Sequence, residues 1–131
     1  MELTGHHLIG DTTGAVGQET FQAQDPSSQA VLSPAFHEAT VSEVGMALRL
    51  GQECFDTFRA TTAEDRAAFL EAIADEVMSL GDALLERAHQ ETGLPMARLT
   101  GERGRAVNQA KLFAGLIREG SWVDARIDLA L

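Results

Sequence analysis

A chain of 131 residues with 44% hydrophobic and 23% charged side chains carries enough apolar material for one ordinary domain core. Its formal net charge of -10, from 20 acidic against 10 basic residues, argues against nucleic acid or an anionic membrane as a partner, because phosphate would be repelled. No apolar run approaches the length that spans a bilayer, and Met1-Glu2-Leu3-Thr4-Gly5-His6-His7 has neither a basic n-region nor an apolar h-region, so a cytoplasmic location is expected. The acidic residues are spread along the helical stretches, as a solvated surface requires.

The first 39 residues lack helical periodicity and are punctuated by Gly5, Gly10, Gly14, Gly17, Pro26 and Pro34. They predict an N-terminal arm in which Leu8-Ile9 and Phe21-Gln22-Ala23 form a β-hairpin joined by the Gly/Thr-rich stretch from Gly10 to Gly17. Asp25-Pro26-Ser27-Ser28 reads as a turn in which proline fixes φ.

Helical signals begin at Thr40. Thr40-Val41-Ser42-Glu43 has the spacing in which hydroxyl and carboxylate satisfy each other's free backbone donors. Val44, Ala47, Leu48, Gly51, Phe55 and Phe58 then form an apolar stripe expected to pack inward. Thr61-Thr62-Ala63-Glu64-Asp65 opens a second helix with Leu70, Ile73, Val77 and Leu80 on its inner face, and Gly81-Asp82 breaks it. A third helix carries Leu84, Leu85 and Ala88 and ends at Gly93, which suits a left-handed cap. Pro95 is placed as the first residue of a fourth, which runs to about Arg118 and stops at Gly120, about 24 residues or ~36 Å. The period then changes to two: Val123, Ala125, Ile127, Leu129 and Leu131 alternate with polar residues and predict a half-buried strand that is cut off at Leu131.

Few residues suggest chemistry. Cys54, the single thiol, sits within the first helix between Glu53 and Phe55, with Asp56 close by, surroundings that disfavour a thiolate and favour a structural cysteine. His6 and His7 are adjacent on an expected strand and point to opposite faces, and no His/Cys/Asp set has ligand spacing, so no metal site is expected. Gly101-Glu102-Arg103-Gly104 follows no strand and is not a phosphate loop. On the fourth helix Arg105 and Gln109 share a face at i and i+4. This pair can hold a carboxylate, although surface pairing of Arg105 with Glu102 or Glu119 is the expectation for an ordinary helix.

Several short runs occur in an order that carries a resemblance. Asp25-Pro26-Ser27-Ser28 resembles the turn that aldehyde dehydrogenases place before their first helix. Cys54-Phe55-Asp56-Thr57-Phe58-Arg59-Ala60-Thr61 looks like their Ala-Phe-x-x-Trp-Arg-x-Thr segment, with Phe58 in place of tryptophan. Arg66-Ala67-Ala68-Phe69-Leu70 with Ile73-Ala74-Asp75 follows, then Glu91-Thr92-Gly93, with Leu94 where lysine is common, and Leu112-Phe113-Ala114-Gly115. Leu94-Pro95, Gly101-Glu102-Arg103-Gly104-Arg105 and Gly120-Ser121-Trp122-Val123-Asp124-Ala125-Arg126-Ile127-Asp128 are similar to a narrower branch, the 2,5-dioxovalerate (α-ketoglutaric semialdehyde) dehydrogenases.

The resemblance implies an α/β parent fold. This chain would supply a β-hairpin arm over residues 1–39, about four helices over 40–119 as a layer of the cofactor domain, and the start of an oligomerisation strand over 120–131. It implies an NADP- or NAD-dependent oxidation of a small-molecule aldehyde, 2,5-dioxovalerate, to 2-oxoglutarate by a homo-oligomer joined through the C-terminal strand. In that family a cysteine thiolate attacks the aldehyde and a glutamate activates the water that releases the acid. Neither motif nor the cofactor loop occurs here, so the chain is expected to be an inactive N-terminal piece with no catalytic, cofactor-binding or metal residue. The family's helix before that strand helps to line the substrate tunnel, which makes Arg105 and Gln109 the candidate substrate-binding residues. A free-standing acidic helical module that binds another protein is the alternative.

Overall fold

The computed structural model describes residues 3–126. Four short strands are followed by four helices and a 3-10 turn: β1 His7–Ile9, β2 Thr12–Gly14, β3 Thr20–Phe21, β4 Phe36–His37, α1 Val41–Arg59, α2 Ala63–Ser79, α3 Gly81–Thr92, α4 Met96–Glu119, and the 3-10 turn Ser121–Val123. The described residues fall into two compact units, 3–60 with 82–99, and 61–81 with 100–126. No helix among the described residues is long and apolar enough to cross a membrane.

In the first unit the expected hairpin forms with a different partner. β1 pairs antiparallel with β2, His7 opposite Gly14, whereas Phe21 belongs to β3 and faces Phe36 of β4. Two glycines explain the arrangement. Gly5 has φ +73°, and a Cβ added there would stand 1.9 Å from the Ala35 carbonyl oxygen. A Cβ on Gly17 would stand 2.2 Å from the Glu38 carbonyl oxygen. The chain therefore passes against its own backbone at both points. The contact is fixed by His37 N–H donating to Gly5 O at 3.0 Å and by His37 Nδ1 lying 2.8 Å from Gly17 O.

The turn at Asp25 and the end of α3 also meet. Asp25 accepts from Ser27 N–H at 2.7 Å and from the Ser28 hydroxyl at 2.8 Å, and these bonds, Ser27's first, hold its carboxyl below the usual range. Gly93 takes the left-handed cap with φ +68° and donates to His89 O at 2.8 Å; a Cβ there would lie 3.2 Å from Pro26 Cγ. Arg87 of α3 donates to Ser33 O and, at 2.6 Å, to Glu91, with its guanidinium 5.9 Å from the Phe36 ring. These contacts tie the strand region to α3.

The helix starts follow their local chemistry. Thr40 caps α1 and Thr62 caps α2, each in a complete reciprocal box, with Glu43 and Asp65 as the returning carboxylates. Glu43 is buried: it accepts from Thr40 N–H and Oγ1 at 2.8 and 2.7 Å, and its other oxygen takes Val16 N–H at 2.8 Å. The Thr40 backbone bond first, then its hydroxyl and Val16, lower the Glu43 pKa to about 2. The α1 stripe does not pack inward as its period suggested. Leu48 is 70% exposed and Phe55 58%, and Val44 and Phe58 are exposed as well. Amphipathic spacing identifies the apolar side of a helix, not the presence of a covering surface.

In the second unit α2 and α4 run antiparallel, because the α4 cations reach Gly81, just past the end of α2, and then α2 itself in reverse order. Arg103 donates to Gly81 O at 2.7 Å, Lys111 meets Asp75 at 3.2 Å, and Arg118 takes Glu71 and Glu64. Arg118 forms four hydrogen bonds of 2.6–2.9 Å to the two carboxylates. Glu64 first and then Glu71 raise its pKa, and its guanidinium lowers both of theirs. The buried apolar residues here are small: Ala67 and Ala74 one heptad apart on α2, and Val107 and Ala114 one heptad apart on α4. Ile73, expected inside, is exposed.

α4 begins one residue later than expected, with Pro95 O accepting from Leu99 N–H at 3.1 Å, and ends at Gly120 with φ +79°. Val123, the expected first residue of the C-terminal strand, lies instead in the 3-10 turn, and Asp124 after it is left-handed with φ +48°. Ala125 and Arg126 are not in a strand either, and residues 127–131, where that expected strand would continue, lie outside the described residues.

Candidate functional site

An α-helix places residues i, i+3, i+4 and i+7 at the corners of a diamond on its surface. On α4 these are Gly101, Gly104, Arg105 and Asn108, and with Gln109 and Leu112 they line an open groove of about 470 Å³. A Cβ added at Gly101 or Gly104 would meet nothing within 4 Å, so the groove floor is helix backbone. Arg105 and Gln109 also border a second depression with Glu102 and Ala106.

The two residues expected to bind substrate are thus on one groove. Arg105 does not pair with Glu102 or Glu119: no hydrogen bond or ion pair of Arg105 is found among the described residues, and Glu119 instead accepts from Ser121 N–H and Oγ at 3.1 and 2.6 Å. Lys111 and Arg118 are turned to α2 and Arg103 to the Gly81 carbonyl, whereas Arg105 keeps its full fork of donors at the groove. Asn108 and Gln109 likewise make no side-chain hydrogen bond among the described residues, so three polar ends with free donors border one apolar wall, Leu112. Asn108 joins the Arg/Gln pair, and its i+3 relation to Arg105 is the signal in the sequence that places it on the same groove.

The remaining candidates carry no site. Cys54 is exposed on α1 and its thiol donates at 3.4 Å to Gly51 O. The His6 and His37 rings are 5.6 Å apart, yet no group of three metal-ligating side chains occurs among the described residues. A smaller cavity of about 150 Å³ lies under the β1–β2 hairpin, bounded by His7, Glu43 and Met46. Gly101 and Gly104 are helical, so their amides are committed to α4 and cannot cradle a dinucleotide phosphate.

Short antiparallel strand pairs thus lead into four helices, and an arginine with no partner among the described residues stands over a glycine-floored groove on the last. The aldehyde dehydrogenase family model matches residues 13–126, and the chain belongs to that family. It is 51% identical over 131 residues to "Alpha-ketoglutaric semialdehyde dehydrogenase 2" of Azospirillum brasilense, covering 99% of this chain and 25% of the relative. To "Alpha-ketoglutaric semialdehyde dehydrogenase" of Acinetobacter baylyi it is 38% identical over 130 residues, again 99% of this chain and 25% of the relative. The chain therefore spans about a quarter of the length of the curated relatives it matches. A crystal structure of a NAD-dependent benzaldehyde dehydrogenase from Corynebacterium glutamicum superimposes with a TM-score of 0.79 at 20% identity, over 88% of this chain and 25% of that one, a likeness of fold.

Proposed function

We propose that this chain is the N-terminal quarter of an NAD(P)-dependent aldehyde dehydrogenase that oxidises 2,5-dioxovalerate to 2-oxoglutarate, and that it has no activity alone. The observation that carries the reading is identity of 51%, along nearly the whole chain, to a relative named for that aldehyde. Residues 1–39 serve as the arm, 40–119 as the helical layer of the cofactor domain, and the segment from residue 120 onward leads into the contact through which a cytoplasmic homo-oligomer assembles. Gly101 and Gly104, which lie inside α4, form no phosphate-cradling loop. The cofactor site, the catalytic cysteine and the catalytic glutamate belong to the remaining three quarters of the enzyme.

What this part contributes is recognition of the far end of the substrate. 2,5-Dioxovalerate carries its reacting aldehyde at one end and a carboxylate at the other. Arg105 offers that carboxylate a planar fork of donors, Gln109 a further amide one turn on, and Leu112 an apolar contact for the methylenes. Steady-state kinetics of the full-length enzyme on 2,5-dioxovalerate and on pentanal, with and without Arg105→Ala, test the reading. The substitution is expected to raise KM for the charged aldehyde only; an unchanged KM for 2,5-dioxovalerate overturns the assignment.

A further inference from the structure

A carboxylate grip alone does not distinguish a 2-oxo acid from a saturated one, and the groove on α4 contains a second donor set at the right place to do so. Helical side chains lean toward the N-terminus, over the residue one turn before them. Arg105 therefore lies toward Gly101, and Asn108 toward Gly104. Both of those positions lack a Cβ and have nothing within 4 Å of where one would stand. Glycine weakens a helix interior; of the three glycines of α4, Gly101 and Gly104 open space beneath these two side chains, and Gly115 lies beyond the groove. The result is a notch with the Arg105 fork on one side and the Asn108 amide on the other.

A 2-oxo carboxylate presents a matching pattern. Its carboxylate is charged and takes two parallel bonds from a guanidinium; the neighbouring keto oxygen is neutral and takes a single bond from a neutral donor. A second cation at 108 would favour a dicarboxylate, and an aliphatic residue would favour a saturated chain. Asparagine is a neutral donor, and it makes no hydrogen bond or ion pair among the described residues. Resting on the assignment of this groove to the distal end of the substrate, we propose that Asn108 is a specificity-determining residue. Its side-chain N–H donates to the 2-oxo group while Arg105 holds the adjacent carboxylate.

The test compares 2,5-dioxovalerate with 5-oxopentanoate, the same five-carbon acid aldehyde without the 2-oxo group, in the full-length enzyme. Asn108→Leu is close to isosteric and removes the donor; kcat/KM for 2,5-dioxovalerate is expected to fall roughly tenfold or more, with 5-oxopentanoate changed less than about twofold. Asn108→Ser, which is smaller and keeps a hydroxyl donor, is expected to fall between, and it serves if the leucine variant does not fold. Equal losses on both aldehydes, or no loss on either, overturn the role of Asn108. Arg105→Ala separates this from failure of the groove itself: it is expected to weaken both acids alike. If Arg105→Ala weakens both and Asn108→Leu leaves their ratio untouched, the carboxylate grip stands and the keto contact is wrong. If Arg105→Ala weakens neither, the site reading falls and the Asn108 role with it.

Discussion

Replacing Gly5 by alanine puts the packing of the N-terminal arm to a quantitative test. With φ at +73°, a side chain at this position costs about 1–2 kcal/mol in backbone strain. The new Cβ would stand 1.9 Å from Ala35 O, which is backbone and cannot rotate away, so β4 must retreat by more than about 1 Å. That movement breaks the bond from His37 N–H to Gly5 O, now 3.0 Å, a further loss of about 1 kcal/mol. Against these stands a gain of about 0.4–1 kcal/mol from the stiffer unfolded chain. The net is a loss of about 2 kcal/mol in local stability, equivalent to about a 30-fold faster exchange of the His37 amide, since 1.4 kcal/mol is a factor of ten. Amide hydrogen exchange read by NMR is the assay. Gly14→Ala is the control, because φ there is not positive and a Cβ would meet nothing within 4 Å. Equal protection of His37 in the two variants would refute the close-approach account.

Two further perturbations address the helices. Glu43 has a pKa near 2 against an ordinary 4.5, so its contribution to stability is fully present above pH 4.5 and disappears as the pH falls from there through 2. NMR titration of the Glu43 side chain and the Val16 amide should show both moving together near pH 2, and Glu43→Gln should abolish the shared transition; titration of Glu43 near 4.5 would contradict the geometry. Ala114 is fully buried on α4, so Ala114→Leu should overfill its site and cost about 1–3 kcal/mol in urea unfolding, whereas an unchanged midpoint would mean that the site has room.

The parts of the fold that depend on neighbours in sequence were legible. The capping boxes at Thr40 and Thr62, the left-handed cap at Gly93, the stop at Gly120 and the length of α4 follow from residues within one or two turns of each other. Strand pairing was not. Strands of two or three residues carry too little alternation to choose a partner, and here Gly5 and Gly17, by admitting the backbone at 35 and 38, set which segments meet. The exposed stripe of α1 shows a second limit, since periodicity cannot tell whether the surface that covers Leu48 and Phe55 belongs to the same stretch of chain. At the groove, Arg105 and Gln109 were readable from their i, i+4 spacing. That Gly101 and Gly104 leave the helix backbone open beside Asn108 depends on how the side chains around them are arranged, which spacing alone does not give.

The central claim is that α4 recognises the carboxylate end of a small aldehyde within a longer dehydrogenase. It is tested most directly by the ratio of kcat/KM for 2,5-dioxovalerate to that for pentanal in the full-length enzyme, before and after Arg105→Ala, followed by NAD(P)H formation. Loss of a charge-assisted bidentate contact, about 2–3 kcal/mol, predicts a fall in that ratio of roughly 30- to 150-fold, with pentanal oxidised as before. A ratio that does not change on losing the Arg105 guanidinium would contradict the account.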